Sequence, residues 1–274
     1  MKASFRSVIK KTLPEPLKQN LNRMRYALER AAQLPLATLH PWRRQSIRSL
    51  ARYQNCHAGE RCFIIGNGPS LKQTDLNLLK NEITFGMNRI YLAFNEMGFA
   101  TTYYLSINSL VIEQCIQDIL TLPIPRFLSW RSRYTFTNPP DEDTIFLHTT
   151  YTGPIFARDI RGRLWEGATV TYVALQLAFY MGFKQVVLIG VDHNFNTQGK
   201  PNTTVVSQGD DPDHFHSGYF GKGFRWQLPD LETSEMAYRM AKSVYEQAGR
   251  QVLDATLGGK LQVFPKVAYR SLFE

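Results

Sequence analysis

The run Gln185-Val-Val-Leu-Ile-Gly-Val191 is the strongest strand signal in the chain, and a predicted helix, Thr169–Met181 stopped by Gly182, stands directly before it. A nearly unbroken apolar strand is buried on both faces, which happens in parallel sheets covered by helices. Cys62-Phe-Ile-Ile-Gly66 is a second such run. Ile83–Gly86 and Thr101–Ile107 follow as short strands, with Arg126–Trp130 and Thr144–His148 as weaker ones. Leu231–Ala248 predicts a long helix that stops at Gly249, after which Gln251–Asp254 resumes as a strand. Strands alternating with helices form parallel βαβ units, so the expectation is an α/β fold with a doubly wound, mostly parallel sheet. The stretch from Asp192 to Pro229 carries Gly, Asp, His and aromatic residues with little periodicity. A loop that long inside a compact domain is expected to be a lid or binding loop.

The first 60 residues read differently. The chain of 274 residues has a net charge of +9, yet residues 1–61 hold 13 Lys and Arg against 3 Asp and Glu, so the remainder is close to neutral. Leu13, Leu17, Leu21, Met24 and Leu28 recur at helical spacing, while Pro14, Pro16, Pro35 and Pro41 are expected to divide the segment into short helices. The expected organisation is a basic helical extension over 1–60 and an α/β domain over 61–274. Such an extension suits an anionic lipid surface, an acidic partner or a second copy of the chain, and these alternatives stay open. Nucleic acid is not expected, because the basic residues join no reader motif. No apolar stretch reaches membrane-spanning length, and the N-terminus has no apolar core of a secretory signal. Three cysteines without a CxxC pair argue against a disulfide scaffold or a cysteine zinc site, and so for a reducing cytosol.

The polar residues at the ends of the strands are the candidates for chemistry. Gly66-Asn-Gly-Pro-Ser70 follows the first strand, where glycines allow close backbone approach and N–H groups can meet phosphate. It is neither the dinucleotide fingerprint, since Leu71 stands where a third glycine belongs, nor a Walker loop. Asn67, Asn88 and Asn108 stand at three successive strand ends, and an amide that both donates and accepts can read a base or a ribose hydroxyl; one such Asn is ordinarily a turn or cap residue. Asp192 follows the strongest strand as a carboxylate at the expected site mouth, or as a cap. The cluster Asp210-Asp-Pro-Asp-His-Phe-His216 offers divalent-cation ligands or, better, a histidine base, since an imidazole takes up a proton near neutral pH. Tyr219, Lys222 or Arg225 could stabilise a leaving phosphate, and the glycine-flanked segment 218–223 could close over a ligand.

Taken in order, CFIIGNGPSL, ITFGMNRIYL, GATVTYVALQLAFYMGFKQVVLIGVDHN and HFHSGYFGKGFRW…PDLE resemble the family named for the archaeal 6-hydroxymethylpterin diphosphokinase MptE. The same pattern is similar to bacterial sialyltransferases that use CMP-sialic acid, and many bacterial family members sit in surface-polysaccharide or flagellin-glycosylation contexts. The resemblance covers Arg61 to about Ala268 and implies a Rossmann-like domain. It implies that Asn67, Gly68 and Ser70 line the nucleotide phosphate and ribose, with Gly66 and Pro69 in the same nucleotide-binding turn, that Asn88 and Asn108 contact the nucleotide or its sugar, and that Gly167, Thr169 and Thr171 border the base and ribose pocket. Asp192 joins this nucleotide-binding set. His216 resembles the general base, with His214 the other candidate. The sialyltransferases place a tyrosine pair on the leaving phosphate where this chain has His193, Asn194 and Phe195, so Tyr219 or Arg225 is expected to substitute.

The expectation is therefore a cytoplasmic glycosyltransferase, peripheral at the inner membrane if its basic helices meet lipid. Its donor would be a nucleotide-activated, CMP-linked sugar, its acceptor a glycan or protein, and no cofactor or metal would be required. One alternative is a diphosphokinase acting on a pterin alcohol, with Mg²⁺ held by Asp192, Asp210, Asp211 and Asp213. Another is a non-catalytic nucleotide-binding scaffold.

Overall fold

The apolar runs become the strands of one sheet. A computed structural model describes residues 14–197, 199–209 and 211–274. Its strands in chain order are β1 (Arg61–Ile65), β2 (Thr84–Met87), β3 (Tyr103–Ser106), β4 (Arg126–Ser129), β5 (Thr144–Thr150), β6 (Arg163–Trp165), β7 (Gln185–Ile189), β8 (Thr204–Val206), β9 (Arg225–Gln227) and β10 (Gln251–Asp254). Eight of them form a parallel sheet in the order β10-β7-β1-β2-β3-β4-β5-β6, and β8 and β9 make a separate antiparallel ribbon. Strands step outward from β1 to β6, and the chain then crosses back to place β7 on the other side of β1. The strand order therefore reverses between β1 and β7, and ligands of open α/β sheets bind in the crevice outside the carboxyl ends at such a point.

The helices are α1 (Glu15–Leu39), α2 (Pro41–Arg52), α3 (Phe94–Met97), α4 (Ser109–Leu120), α5 (Val170–Met181) and α6 (Leu231–Gln247). α5 is apolar on all sides because all sides are covered: Thr171–Met181 is buried, packed on β1, β2 and β3 and on α6. Its one mid-helix amide, Gln176, is satisfied there, accepting from Ala157 N at 2.9 Å and donating to Trp165 O at 3.0 Å. α6 is amphipathic and turns Ala237, Tyr238, Ala241 and Tyr245 inward, with the Tyr245 hydroxyl donating to Leu175 O at 2.7 Å. Gly182 and Gly98 end α5 and α3 in the left-handed conformation.

The contacts group the chain into two compact units, Met1–Arg44 and Gln45–Glu274. In the first, the prolines do not break the helix as expected. Pro14 caps α1 and Pro16 lies in its first turn, where the missing N–H would have no partner anyway, and the helix runs on through Pro35 for 25 residues. Pro41 opens α2 in the same way. The expected start of the extension, including Leu13, lies outside the described residues. Leu17, Leu21, Met24 and Leu28 are 43–64% exposed. No helix among the described residues is long and apolar enough to cross a membrane.

Candidate functional site

A cleft of about 270 Å³ opens over the carboxyl ends of the sheet. Its wall takes Gly66, Asn67 and Gly68 after β1, Met87 at the end of β2 and Asn88 after it, Asn108 after β3, Tyr151 after β5, Glu166 and 168–171 after β6, and Gly190–Phe195 after β7. The segment 213–231 closes it with Asp213, His214, Tyr219, Phe220 and Trp226 among others. Five described non-glycine residues have positive φ, and four of them, Asn88, Ala168, His193 and Asn202, line this cleft. Left-handed backbone is unfavourable for residues with a side chain and tends to collect at functional sites.

The Gly66–Ser70 turn is built by a partner 122 residues away. Gly66 N donates to Ile189 O at 2.7 Å and Gly68 N to Gly190 O at 2.9 Å, clamping the end of β1 to the end of β7. An added Cβ on Gly66 would lie 2.2 Å from Gly190 O, and one on Gly68 would lie 1.8 Å from Asp192 Oδ2. The glycines thus serve the close approach of two strand ends. Asp192 accepts from Ser70 N at 3.1 Å and from Ser70 Oγ at 2.7 Å. Its carboxyl is pushed up by burial, against the lowering effect of the Ser70 bonds. The N–H groups of Gly66, Gly68, Ser70 and Leu71 all have partners inside the chain. Pro69 has no N–H, and neither Pro69 nor Ser70 lines the cleft.

The three strand-end asparagines do meet in the cleft, each with one job already filled. Asn67 Nδ2 donates to Met87 O at 3.1 Å, and its buried Oδ1 has no hydrogen-bond partner among the described residues. Asn88 accepts from Ser106 Oγ at 3.0 Å. Asn108 caps α4 by accepting from Leu110 N at 2.9 Å.

The N-terminus of α5 faces the same space. Thr169 caps it, and Thr169 and Thr171 both line the cleft. Gly167 does not; it turns the backbone at φ +56 and packs so closely that a Cβ would lie 2.6 Å from Ala237 Cβ. Beside this turn stands Glu166, which is 6% exposed and was not singled out from the sequence. Its only local signal is a lone acid between Trp165 and the small residues that start α5. Burial pushes its carboxyl up, while the charge of Arg131 and the Thr149 hydroxyl oppose the shift.

His214 and His216 part company. His214 lines the cleft, and its Nδ1 lies 2.9 Å from both Asp211 carboxylate oxygens. A proton on Nδ1 would pair with this carboxylate and leave the lone pair on Nε2. The ring stacks on Tyr219 with centroids 4.0 Å apart and planes at 4°. Tyr219 is 1% exposed, and its hydroxyl accepts from Arg89 N at 3.4 Å, so the ring that the imidazole stacks on is itself held. Burial pushes the Tyr219 phenol up. His216 does not line the cleft; its Nδ1 accepts from Gly218 N at 3.0 Å. Arg225 is also outside, pairing with Glu113 at 3.1 Å and fastening β9 to Gln114 of α4. Lys222 is exposed and absent from the wall.

The acids named as Mg²⁺ holders do not form an open ligand set. Asp192 is held by Ser70. Asp211 accepts from His214, Phe220 N and Asp213 N. Asp213 accepts from the backbone and side chains of Asn196 and Thr197. Asp210 lies outside the described residues. Among those described, no three His, Cys, Asp or Glu side chains are grouped as metal ligands.

The family model described as 6-hydroxymethylpterin diphosphokinase MptE-like matches residues 36–198, which carry β1 to β7 and most of the cleft wall. The chain belongs to the MptE-like family. The MptE-like match begins within α1 and ends just past the Gly190–Phe195 wall. Among solved structures, the MAf glycosyltransferase from Magnetospirillum magneticum AMB-1 is similar at 15% identity with a TM-score of 0.48. The alignment covers 88% of this chain and 41% of that one, so the chain spans well under half the length of that protein. No curated protein matches the chain by sequence.

Proposed function

We propose that this MptE-like chain is a transferase for a nucleotide-activated sugar, with His214 as the base on the acceptor hydroxyl. The observation that carries this is His214 in the wall of the switch-point cleft, with its Nδ1 on the Asp211 carboxylate. His214 Nε2 takes the proton from the acceptor hydroxyl as its oxygen attacks the anomeric carbon. The bond from that carbon to the donor phosphate breaks, the electron pair leaves with the phosphate oxygen, and the configuration inverts. None of the described wall residues is Lys or Arg. The leaving charge is therefore assigned to the N-terminus of α5 with Thr169 and Thr171, where the helix dipole and hydroxyls favour an anion. A CMP-linked donor and a glycan or protein acceptor complete the proposal.

The family's description favours a second reading, pyrophosphate transfer from ATP to a pterin alcohol. That chemistry calls for Mg²⁺, and the engaged carboxylates of Asp192, Asp211 and Asp213 do not fit it.

The test is turnover of a panel of nucleotide sugars, and of ATP with Mg²⁺ and a pterin alcohol, by the wild type, His214→Asn and His216→Asn. The expected result is a loss of roughly 10²–10⁴ in rate for His214→Asn and nearly unchanged turnover for His216→Asn. Full activity in a folded His214→Asn protein, or turnover only of ATP with Mg²⁺, overturns the proposal.

A further inference from the structure

The transfer step leaves one buried acid of the cleft without a task. Glu166 lines the wall, is 6% exposed, and its Oε1 makes no hydrogen bond. Arg131 Nη1 stands 3.4 Å away, near enough for charge but without hydrogen-bond geometry. Arg131 is itself committed elsewhere. Its guanidinium carbon lies 3.7 Å from the Tyr151 ring centroid, and its Nη2 donates to the Tyr151 hydroxyl. Tyr151 lines the cleft and is 65% exposed. This corner presents a fixed acceptor oxygen beside an aromatic side chain open to the cleft. A buried acceptor without a donor is costly, and a ligand that supplies the hydrogen relieves it.

The position of the corner narrows what that ligand part is. The segment bearing His214 is tied to the ends of β1 and β2, through Phe215 N to Asn67 O at 2.9 Å and Arg89 N to the Tyr219 hydroxyl. Glu166 is tied through Arg131 and Tyr151 to the chain beyond β4 and β5. With the acceptor at His214 and the phosphate at the start of α5, the part of the donor beyond the phosphate lies toward Glu166. We infer that Glu166 reads the nucleoside of the donor, accepting a hydrogen from a ribose hydroxyl or from a base amino group. This inference rests on the transferase proposal above. Tyr151 then offers a face on which the ribose or base can lie.

The test is calorimetric binding of CMP, UMP, AMP and GMP, and of their 2′-deoxy forms, to the wild type and to Glu166→Gln, with circular dichroism to check folding. The expected result is a wild-type preference for amino over oxo base, or for ribose over deoxyribose, that falls tenfold or more in Glu166→Gln. A fall confined to CMP against UMP identifies the base amino group; one confined to the deoxy comparison identifies the ribose hydroxyl. Glu166→Asp, which keeps the charge but withdraws the oxygen, is expected to lose the same preference and serves if the glutamine variant misfolds. Unchanged ratios in a folded variant that still binds nucleotide overturn the role of Glu166 and leave the transferase proposal standing. Absence of nucleotide binding by the wild type overturns both.

Discussion

Replacing Gly66 by alanine is expected to damage the fold before it affects any ligand. The ideal Cβ would lie 2.2 Å from Gly190 O and 2.6 Å from its carbonyl carbon, both backbone atoms with no rotamer to escape into. Ordinary contact begins near 3.4 Å, so the ends of β1 and β7 must part by about 1 Å. That separation strains the 2.7 Å bond from Gly66 N to Ile189 O and the 2.9 Å bond from Gly68 N to Gly190 O. Overpacking of this kind costs about 1–3 kcal/mol, and two backbone bonds add about 1 kcal/mol each. At roughly 2–4 °C per kcal/mol for a chain of this size, the melting temperature should fall by about 6–20 °C. Thermal and urea unfolding measure this, with Gly221→Ala as the control, since nothing lies within 4 Å of a Cβ there. A Gly66→Ala protein that melts within about 2 °C of the wild type but no longer binds nucleotide would refute the reasoning, because the glycine would then serve the ligand and not the strand contact.

Asp211→Asn should keep the fold and lower kcat by roughly 10²–10⁴ with little change in donor KM, because the tautomer of His214 is no longer held; steady-state kinetics would show it, and an unchanged kcat would refute the pairing. Glu166→Gln should stabilise the ligand-free protein at neutral pH. Burial raises the folded carboxyl above its ordinary value of 4.5, so between the two values the folded state holds more protons, and stability contributed by this group falls as pH rises through the raised value. The gain in melting temperature should therefore grow from about pH 4.5 upward, and a flat difference would count against it. Phe183→Ala should cost about 3–5 kcal/mol, read by urea unfolding, because the ring is fully buried, stacked on His57 at 4.7 Å and edge-on to Phe85.

The strands were legible where burial on both faces leaves an apolar run, as at Cys62–Ile65 and Val186–Ile189. Gln251–Asp254 forms β10 where the sequence places it, and α6 ends one residue before the expected Ala248. β6 gave no such signal, since Arg163-Leu-Trp165 is too short for a period to show. The β8–β9 ribbon lies half in solvent and mixes Thr and Val with Arg and Gln, so the stretch 192–229 read as loop throughout. Pro14 and Pro16 misled for a local reason: they stand at the N-cap and in the first turn of α1, where a missing N–H does no harm; Pro35 lies inside the same helix, and Pro41 does start a new one.

At the site, the sequence by itself determined which polar residues stand at strand ends. Apolar strands must stop where the sheet stops, and Asn67, Asn88, Asn108 and Asp192 therefore meet at one edge of it. Only the tertiary structure decided what each of them does. Ser70 meets Asp192 across 122 residues because β1 and β7 are neighbours, and that contact engages the N–H and hydroxyl of Ser70. His214 and His216 are two residues apart and alike in sequence, yet one packs flat on Tyr219 beside Asp211 in the cleft wall while the other does not reach it. Glu166 joins Arg131 and Tyr151 from three separate strand ends. Burial pattern is a local property and survives in the order of residues. Side-chain pairing is set by the path of the backbone between distant positions, and no short window of sequence contains it.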